Sequence, residues 1–264
     1  MKLGFIGCGN MASAIMGGII KNGVMKASDI IGADIFAPST EKVKSLYGIE
    51  IANTNKEVVE KADIFVLSIK PQFYQEVIQE IKEAVRETQV IITLAPGKTL
   101  AWLEEQFEKP VKLVRTMPNT PAVVLEGMTG ACYNQYVSIR ELETVVEILH
   151  SFGEVEIVPE KLMDAVMITS GSSPAYVYMM IEAMADAAVA EGMPRAQAYK
   201  FAAKAVMGSA KMVLETGKHP GELKDMVCSP AGTTIAAVKV LEETGFRSSI
   251  MQAMEACAEK GRKL

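Results

Sequence analysis

The stretch MKLGFIGCGNMASAIMGGII, residues 1–20, decides the fold. Leu3 to Ile6 form an apolar run without a polar interruption, the length of a short buried strand. Gly7, Gly9 and Ala12 follow in the spacing G-x-G-x-x-A, and Met11, Ile15 and Ile19 then mark the apolar face of a helix. Each small residue has a physical task. Gly7 permits a tight turn out of the strand, Gly9 lets backbone approach a pyrophosphate, and Ala12 lets the helix pack close to the strand. The helix that begins there aims free N–H groups and its positive dipole end at the same point. A glycine turn alone is common. Between a strand and a helix it reads as a dinucleotide site.

The composition is consistent with this. At 264 residues the chain is long enough for two units, and a 49% share of hydrophobic residues supports a large core. A net charge of -5 argues against a nucleic-acid or polyanion partner. Cys8, Cys132, Cys228 and Cys257 are widely spaced, with no C-x-x-C pair, and read as small buried hydrophobes in a reducing cytoplasm. The first residues read as a strand, not as a basic-then-apolar leader, so a cytoplasmic location is expected. The longest apolar stretch, residues 175–190, is broken by Glu182 and Asp186, which argues against a membrane span. His150 and His219 are the only histidines, and nothing has metal-ligand spacing.

Going outward from the glycine turn, Asp29–Ile35, Ala62–Ile69, Val90–Leu94 and Val111–Arg115 read as further buried strands. Helical patterns at Thr54–Lys61, Phe73–Arg86 and Leu100–Phe107 lie between them. This alternation predicts an α/β fold, a Rossmann-type doubly wound parallel sheet with right-handed crossovers. Ligands of such sheets sit outside the C-terminal strand ends, where Gly7–Ala12, Ser68–Pro71, Ala95–Gly97 and Met117–Pro121 all fall. Lys70 has a bland reading as a solvated lysine, yet its place at a strand end beside Pro71 favours a cofactor contact. The end of the second strand leaves two readings open. Asp34 could accept from the adenosine ribose and repel the extra phosphate of NADP. Equally, the turn Ala37-Pro38-Ser39-Thr40 could offer hydroxyls and a helix start to that phosphate.

From about Lys161 the pattern is helical and rich in Ala and Met, so residues 1–160 read as the dinucleotide-binding domain and 161–264 as an all-α domain. Ser173 and Pro174 start a helix expected to end at Gly192, Pro194 starts another ending at Gly217, and Thr233–Thr244 and Arg247–Lys260 follow. Met179, Met180 and Met184 read as packing material. Helices carrying this much apolar and small-residue surface (Ala202, Ala203, Ala205, Gly208, Ser209, Ala210) want a partner, and a homodimer is expected. Ser229, Pro230, Gly232, Thr233 and Thr234 precede a helix. A plain N-cap would explain some of them. Their density favours N–H groups and hydroxyls that grip a carboxylate.

Taken together, GFIGCGNMA, SIKPQ, APG, VRTMPNTP, SGSSPAYVYMMIEAMADAAV, HPGELKDMVCSPAGTTI and GFRS closely resemble the pyrroline-5-carboxylate reductases, in the family's order over nearly the whole chain. The segment Leu223–Ile235 is specific to that family, unlike the glycine turn. The resemblance implies reduction of 1-pyrroline-5-carboxylate to L-proline, the last step of proline biosynthesis, with NADPH by family habit and NADH as the other choice. It implies a helical dimerisation domain and, in members that assemble further, rings of dimers such as a decamer. It matches Thr234 to the threonine whose hydroxyl reaches the ring nitrogen, and Ser229, Gly232 and Thr233 to the carboxylate cradle. It matches Ile6, Gly7, Cys8, Gly9, Asn10, Met11, Asn55, Ser68, Ile69, Lys70, Pro71, Ala95, Pro96 and Gly97 to the cofactor contacts, beside Asp34 and Ser39 from the reading above. Ala231 departs from the pattern, since many members have a second glycine there. Alanine fits unless that position needs a positive φ.

The chemistry suits these residues. A cyclic imine arrives largely protonated near neutral pH, so its reduction needs alignment with a nicotinamide more than a strong acid. The β-hydroxyacid dehydrogenases and ketopantoate reductases share the architecture but need a lysine acid, for which Lys161 is the one candidate in the stretch Lys161–Tyr176. Another imine reductase is the alternative of the same class. A cofactor-sensing regulator without turnover is the rival of another class, and retention of Ser229 and Thr234 speaks against it.

Overall fold

The apolar run after Lys2 becomes β1 (Leu3–Ile6), with all four residues buried. The computed structural model describes residues 1–94 and 96–263. Seven further strands follow: β2 (Ile30–Ala33), β3 (Glu50–Ile51), β4 (Ile64–Leu67), β5 (Val90–Thr93), β6 (Lys112–Met117), β7 (Gly127–Tyr133) and β8 (Gly153–Ile157). The helices of this part are α1 (Asn10–Lys21), α2 (Ala37–Tyr47), α3 (Asn55–Lys61), α4 (Tyr74–Ile81), α5 (Leu100–Phe107), α6 (Ile139–His150) and the single turn α7 (Met163–Val166). The sheet order is β3-β2-β1-β4-β5-β6-β7-β8, and every neighbouring pair is parallel except β6 and β7. The reversal of order at β1 is the crevice where such sheets bind ligands.

β1, β2, β4 and β5 are buried along their whole length because helices cover both faces. Alternate side chains divide the core in two. Ile6, Phe65, Leu67 and Ile91 pack with Val58, Ile78 and Leu103 of α3, α4 and α5. Leu3, Phe5, Val66 and Ile92 pack with Ile15, Ile19, Val145 and Ile148 of α1 and α6.

The expected strands are present; β2, β4 and β5 are shorter than their apolar runs, whereas β6 extends to Met117. β2 stops at Ala33, which puts Asp34 just past its C-terminal end. β7, α6 and β8 were not anticipated. GMTGACY is interrupted by glycine and GEVEI alternates with acids, so neither reads as a buried parallel strand. α6 did carry a readable start, since Ser138 and Glu141 form a reciprocal capping box.

The second unit is helical: α8 (Ser173–Ala190), α9 (Arg195–Thr216), α10 (Pro220–Val227), α11 (Thr233–Glu243) and α12 (Phe246–Gly261). Packing divides the chain into residues 1–172 with the end from Cys257, and residues 173–256. This differs from a line at 160/161 because Met163 and Met167 are buried in the core of the sheet unit. Ser173 is not a helix cap. The chain before it is already helical, passing from α7 through a wide π turn at Met167–Gly171. The helix over 220–227 is not among those the sequence predicts, although Pro220 stands at its first position.

The glycine turn yields the first prediction. Gly7 has φ +93°, and a Cβ there would lie 2.6 Å from the carbonyl oxygen of Ser68. Gly7→Ala should therefore cost at least about 2 kcal/mol and weaken dinucleotide binding. Thermal melting and a dinucleotide titration check both, and an unchanged melting midpoint would contradict the strain.

Candidate active site

Three strand ends hold the glycine turn. The Gly7 N–H donates to Ala33 O at 2.8 Å and the Ser68 N–H donates to Ile6 O at 2.9 Å. The Ser68 hydroxyl also donates to Gly7 O at 2.6 Å. The Cys8 N–H donates to Asp34 Oδ2 at 2.7 Å. Cys8 itself is buried, and that burial, with Asp34 beside it, pushes its thiol up to about 12. The thiol stays protonated and packs as a small apolar group.

α1 starts at Gly9 with no side-chain cap and no acid in its first turn. Gly9 is exposed, and a Cβ there would meet nothing within 4 Å. An uncapped helix start with open space in front of it fits a pyrophosphate. Asn10 and Met11 follow on the same turn.

Beside this turn lies a pocket of about 210 Å³ lined by Ile6, Gly7, Asp34, Ile35, Asn55 and Ile69, with Phe73, Glu76, Val77 and Glu80 of the opposite wall. It brings together five of the residues expected at the cofactor. Asp34 is anchored twice, since its Oδ1 accepts the Phe36 N–H at 2.9 Å. Asn55 donates to Glu80 Oε2 at 2.8 Å. The hydroxyl of Thr40 is spent on Ala37 O at 2.8 Å and its side chain is buried, so that residue is no phosphate ligand. Ser39 is half-buried in the first turn of α2. Glu76 and Glu80 lie within the helical pattern Phe73–Arg86, and no local motif marks them.

A second cavity, about 500 Å³, lies at the other end of the turn and is lined by Met11, Ser68, Ile69, Leu94 and Pro96. Its remaining wall comes from Met117, Pro118, Met167, Gly171, Ser172, Cys257, Lys260 and Gly261. Of these, the sequence places only Met117 and Pro118 at a ligand-facing strand end, and Cys257, expected to be a small buried hydrophobe, is half-buried in the wall. Cys257 Sγ and Ser172 Oγ are 3.2 Å apart. The lining is chiefly apolar, which suits a flat ring held away from water. Lys70 is exposed and Pro71 opens a single 3-10 turn before α4. Gly97 lines a separate cavity with Arg115, Glu160 and Lys161. Ala95 lies outside the described residues.

The helical unit carries the other expected residues. Ser229-Pro230-Ala231-Gly232 form a turn closed by the Gly232 N–H to Ser229 O bond at 3.0 Å. Ala231 has φ +59°. Proline followed by a positive φ is the type II pattern, which favours glycine at the third position. The condition under which alanine fits poorly is therefore met. A Cβ on Gly232 would stand 2.3 Å from Ser229 Oγ and 3.1 Å from Ser229 O, so a larger residue there would displace the Ser229 side chain. α11 begins at Thr233 with no side-chain cap and no acid in its first turn. Ser229 thus does not cap it. Because Gly232 spends its N–H inside the turn, the donors left to an anion are those of Thr233, Thr234 and Ile235.

The helical unit buries little of itself. Ala185, Ala198 and Ala202 are its only buried residues, while Met179, Phe201, Leu214 and Val227 are each more than 60% exposed. No helix of the described residues is long and apolar enough to cross a membrane. No group of His, Cys, Asp and Glu among the described residues could hold a metal ion.

A dinucleotide cradle at a sheet's topological switch, followed by a helical unit with an anion-ready helix start, defines a two-domain NAD(P)-dependent oxidoreductase. Known proteins agree. Residues 160–264 match the family described as pyrroline-5-carboxylate reductase dimerisation, and residues 2–97 match NADP oxidoreductase, coenzyme F420-dependent. The chain is 51% identical to the pyrroline-5-carboxylate reductase of Escherichia coli, covering 100% of this chain and 98% of that one. It is 41% identical to that of Methanosarcina acetivorans, over 100% and 97%. A Plasmodium falciparum pyrroline carboxylate reductase solved with NADP bound superposes with a TM-score of 0.92 at 32% identity, over 100% and 97%. The chain belongs to the pyrroline-5-carboxylate reductase family, whose members are NAD(P)-dependent enzymes of proline biosynthesis.

The strained turn gives a prediction. An L-residue in the left-handed region costs roughly 1–2 kcal/mol, part of it offset by the greater freedom of glycine when unfolded. Ala231→Gly should raise the melting midpoint by a few degrees. A lowered midpoint would mean that the alanine methyl contributes packing that outweighs the backbone cost.

Proposed function

We propose that this chain reduces 1-pyrroline-5-carboxylate to L-proline, with the dinucleotide held by the sheet unit and the imine carboxylate held at the start of α11. The observation that carries this reading is the helix start itself. It combines a start without a side-chain cap, two threonine hydroxyls and no acid in the first turn. The dinucleotide would be held by Ile6–Met11, Asp34, Ser39, Asn55, Ser68–Pro71 and Ala95–Gly97, and when bound it supplies the hydride.

The chain's own residues then have simple tasks. The N–H groups of Thr233 and Thr234, reinforced by the helix dipole, bind the carboxylate. The Thr234 hydroxyl orients the ring nitrogen, which already carries its proton. Ser229 and Gly232 shape the cradle. The apolar cavity beside Ser68 and Leu94 excludes water from the ring that donates hydride. No strong acid is needed, and none of the buried thiols provides one. The β-hydroxyacid alternative would need Lys161 as an acid, but Lys161 lines the cavity of Gly97, Arg115 and Glu160 and not the one beside Ser68.

The exposed apolar helices support a homodimer through residues 173–256, and assembly of dimers into a ring is part of the same reading, as is a cytoplasmic location. Ala203→Glu or Ala210→Glu places a charge on the small-residue face and should dissociate or unfold the assembly. Sedimentation of the wild type as a stable, active monomer would refute the dimer.

Turnover tests the site. Thr234→Ala removes one hydroxyl and leaves the backbone donors. A hydrogen bond to a charged group is worth about 1.5–3 kcal/mol, so kcat/KM for the imine should fall roughly 10- to 150-fold. Thr234→Ser should lose much less, and dinucleotide affinity should hardly move in either variant. Intact turnover in Thr234→Ala, or loss of dinucleotide binding, would show that the loop does not serve the imine.

A further inference from the structure

A cavity of about 460 Å³, separate from those at the glycine turn, is lined chiefly by charge: Arg115 of β6, Glu160, Lys161, Asp164 and Arg262. Arg115 is its anchor, with a side chain only 4% exposed. A buried cation is costly unless its donors are met. Among the described residues the guanidinium has Glu160 as its one hydrogen-bond partner, Nη1 to Oε1 at 2.9 Å, and its Nε is buried with none. Glu160 is itself shared, since the same Oε1 accepts the Leu100 N–H at 2.7 Å. The residues paired with Arg115 in the sheet give no help. Thr93 on β5 has a buried hydroxyl that is also without a partner. Cys132 on β7 stays protonated, because burial, and Glu160 after it, push its thiol up to about 11.

The charges around this anchor leave a surplus. Lys161 and Arg262 are exposed, and neither is in an ion pair among the described residues. Glu160 offsets Arg115, so the other two cations face Asp164 as the one remaining acid of the wall. Three cations against two acids give the lining a net charge of +1. A monoanion balances that charge, whereas a phosphate dianion brings a second charge towards Glu160 and Asp164. The planar fork of an arginine also matches the geometry of a carboxylate. The cavity adjoins the larger one beside Ser68. Gly261 lines both, and Pro96 lines the larger while its neighbour Gly97 lines this one.

We propose that this cavity is a second ligand site, which takes a small monocarboxylate whose oxygens bridge the Arg115 guanidinium to Lys161 and Arg262. The bound carboxylate ties the end of α12 to β6 and to the chain just before α7. Because the end of α12 also walls the larger cavity, the carboxylate stands behind that cavity without entering it. The site uses none of Ser229–Thr234 and so is independent of where the imine is held.

Thermal melting of the intact protein in sodium acetate, in sodium chloride and in inorganic phosphate, all at one ionic strength, tests the site. A ligand that binds only the folded protein stabilises it by mass action, so acetate about tenfold above its dissociation constant should raise the midpoint roughly 2–5 °C over chloride. The rise should saturate. Removing Arg115 would strand Glu160 and endanger folding, so the exposed Lys161 and Arg262 carry the mutational test. Lys161→Gln combined with Arg262→Gln should leave the midpoint in chloride nearly unchanged and abolish the rise in acetate. General salt effects act equally on the double variant and cancel. The rise lost in that variant should be smaller in phosphate than in acetate. A wild-type midpoint no higher in acetate than in chloride overturns the proposal. A rise that survives the double change places the anion elsewhere, such as at the start of α1 or α11, and overturns it too. A greater loss in phosphate than in acetate overturns the choice of a monocarboxylate.

Discussion

The active half of the sheet unit depends on one constraint, the pinning of the turn after β1 between its two neighbours. Ile6 and Gly7 are bonded on one side to Ala33 and on the other to Ser68, and Cys8 is bonded to the carboxylate of Asp34. A turn at φ +93° is costly for any residue but glycine. Once it is held, the first N–H groups of α1 have a fixed direction and no side-chain cap to consume them. The anion site is thus built before any ligand arrives, which is the kind of preorganisation that limits the entropic cost of binding.

The helical unit shows the opposite economy. α10 and α11 contain no buried residue, and the unit's buried positions are alanines. Small residues let helices approach closely but bury little area per residue, so this unit supplies too little core for 84 residues to stand alone. Exposed Met, Leu and Val on several helices are the complement that a dimerisation family requires. The residues proposed to hold the imine thus sit on the unit through which the family dimerises, so in that reading the stability of the site is tied to that of the oligomer.

The loop before α11 shows where local strain is tolerated. Proline presets one side of the turn, Gly232 makes room for Ser229, and Ala231 occupies a left-handed conformation that glycine would occupy more comfortably. Strained backbone of this sort persists where surrounding structure over-determines it, and it clusters at ligand sites. Here the result is a helix start whose donors face outward with no internal acceptor.

Much of this protein was legible in its sequence. G-x-G-x-x-A between an apolar run and a helical pattern defined the first βα unit, because glycine spacing and hydrophobic period are local properties that survive without tertiary context. The parallel strands at 64–67 and 90–93 were legible for the same reason: they are buried on both faces and so are apolar throughout. The density of Ser, Thr and Gly before α11 marked a helix start, which the fold leaves without a side-chain cap. Other features depended on distant residues meeting. β7 and β8 read poorly, since their glycines and acids are accepted only at the end of a sheet already formed. The role of Asp34 was undecidable from the chain, because it turns on bonds to Cys8, 26 residues away, and to Phe36. Glu76 and Glu80 belong to a helical pattern with no motif, and only the fold sets them in one pocket with Asp34. Met167, Ser172, Cys257 and Lys260 converge on one cavity only because the last helical turn packs back on the sheet unit. Periodicity and turn chemistry act over a few residues and are written in order along the chain, whereas the sharing of one carboxylate or one cavity wall by remote segments exists only once the chain has folded.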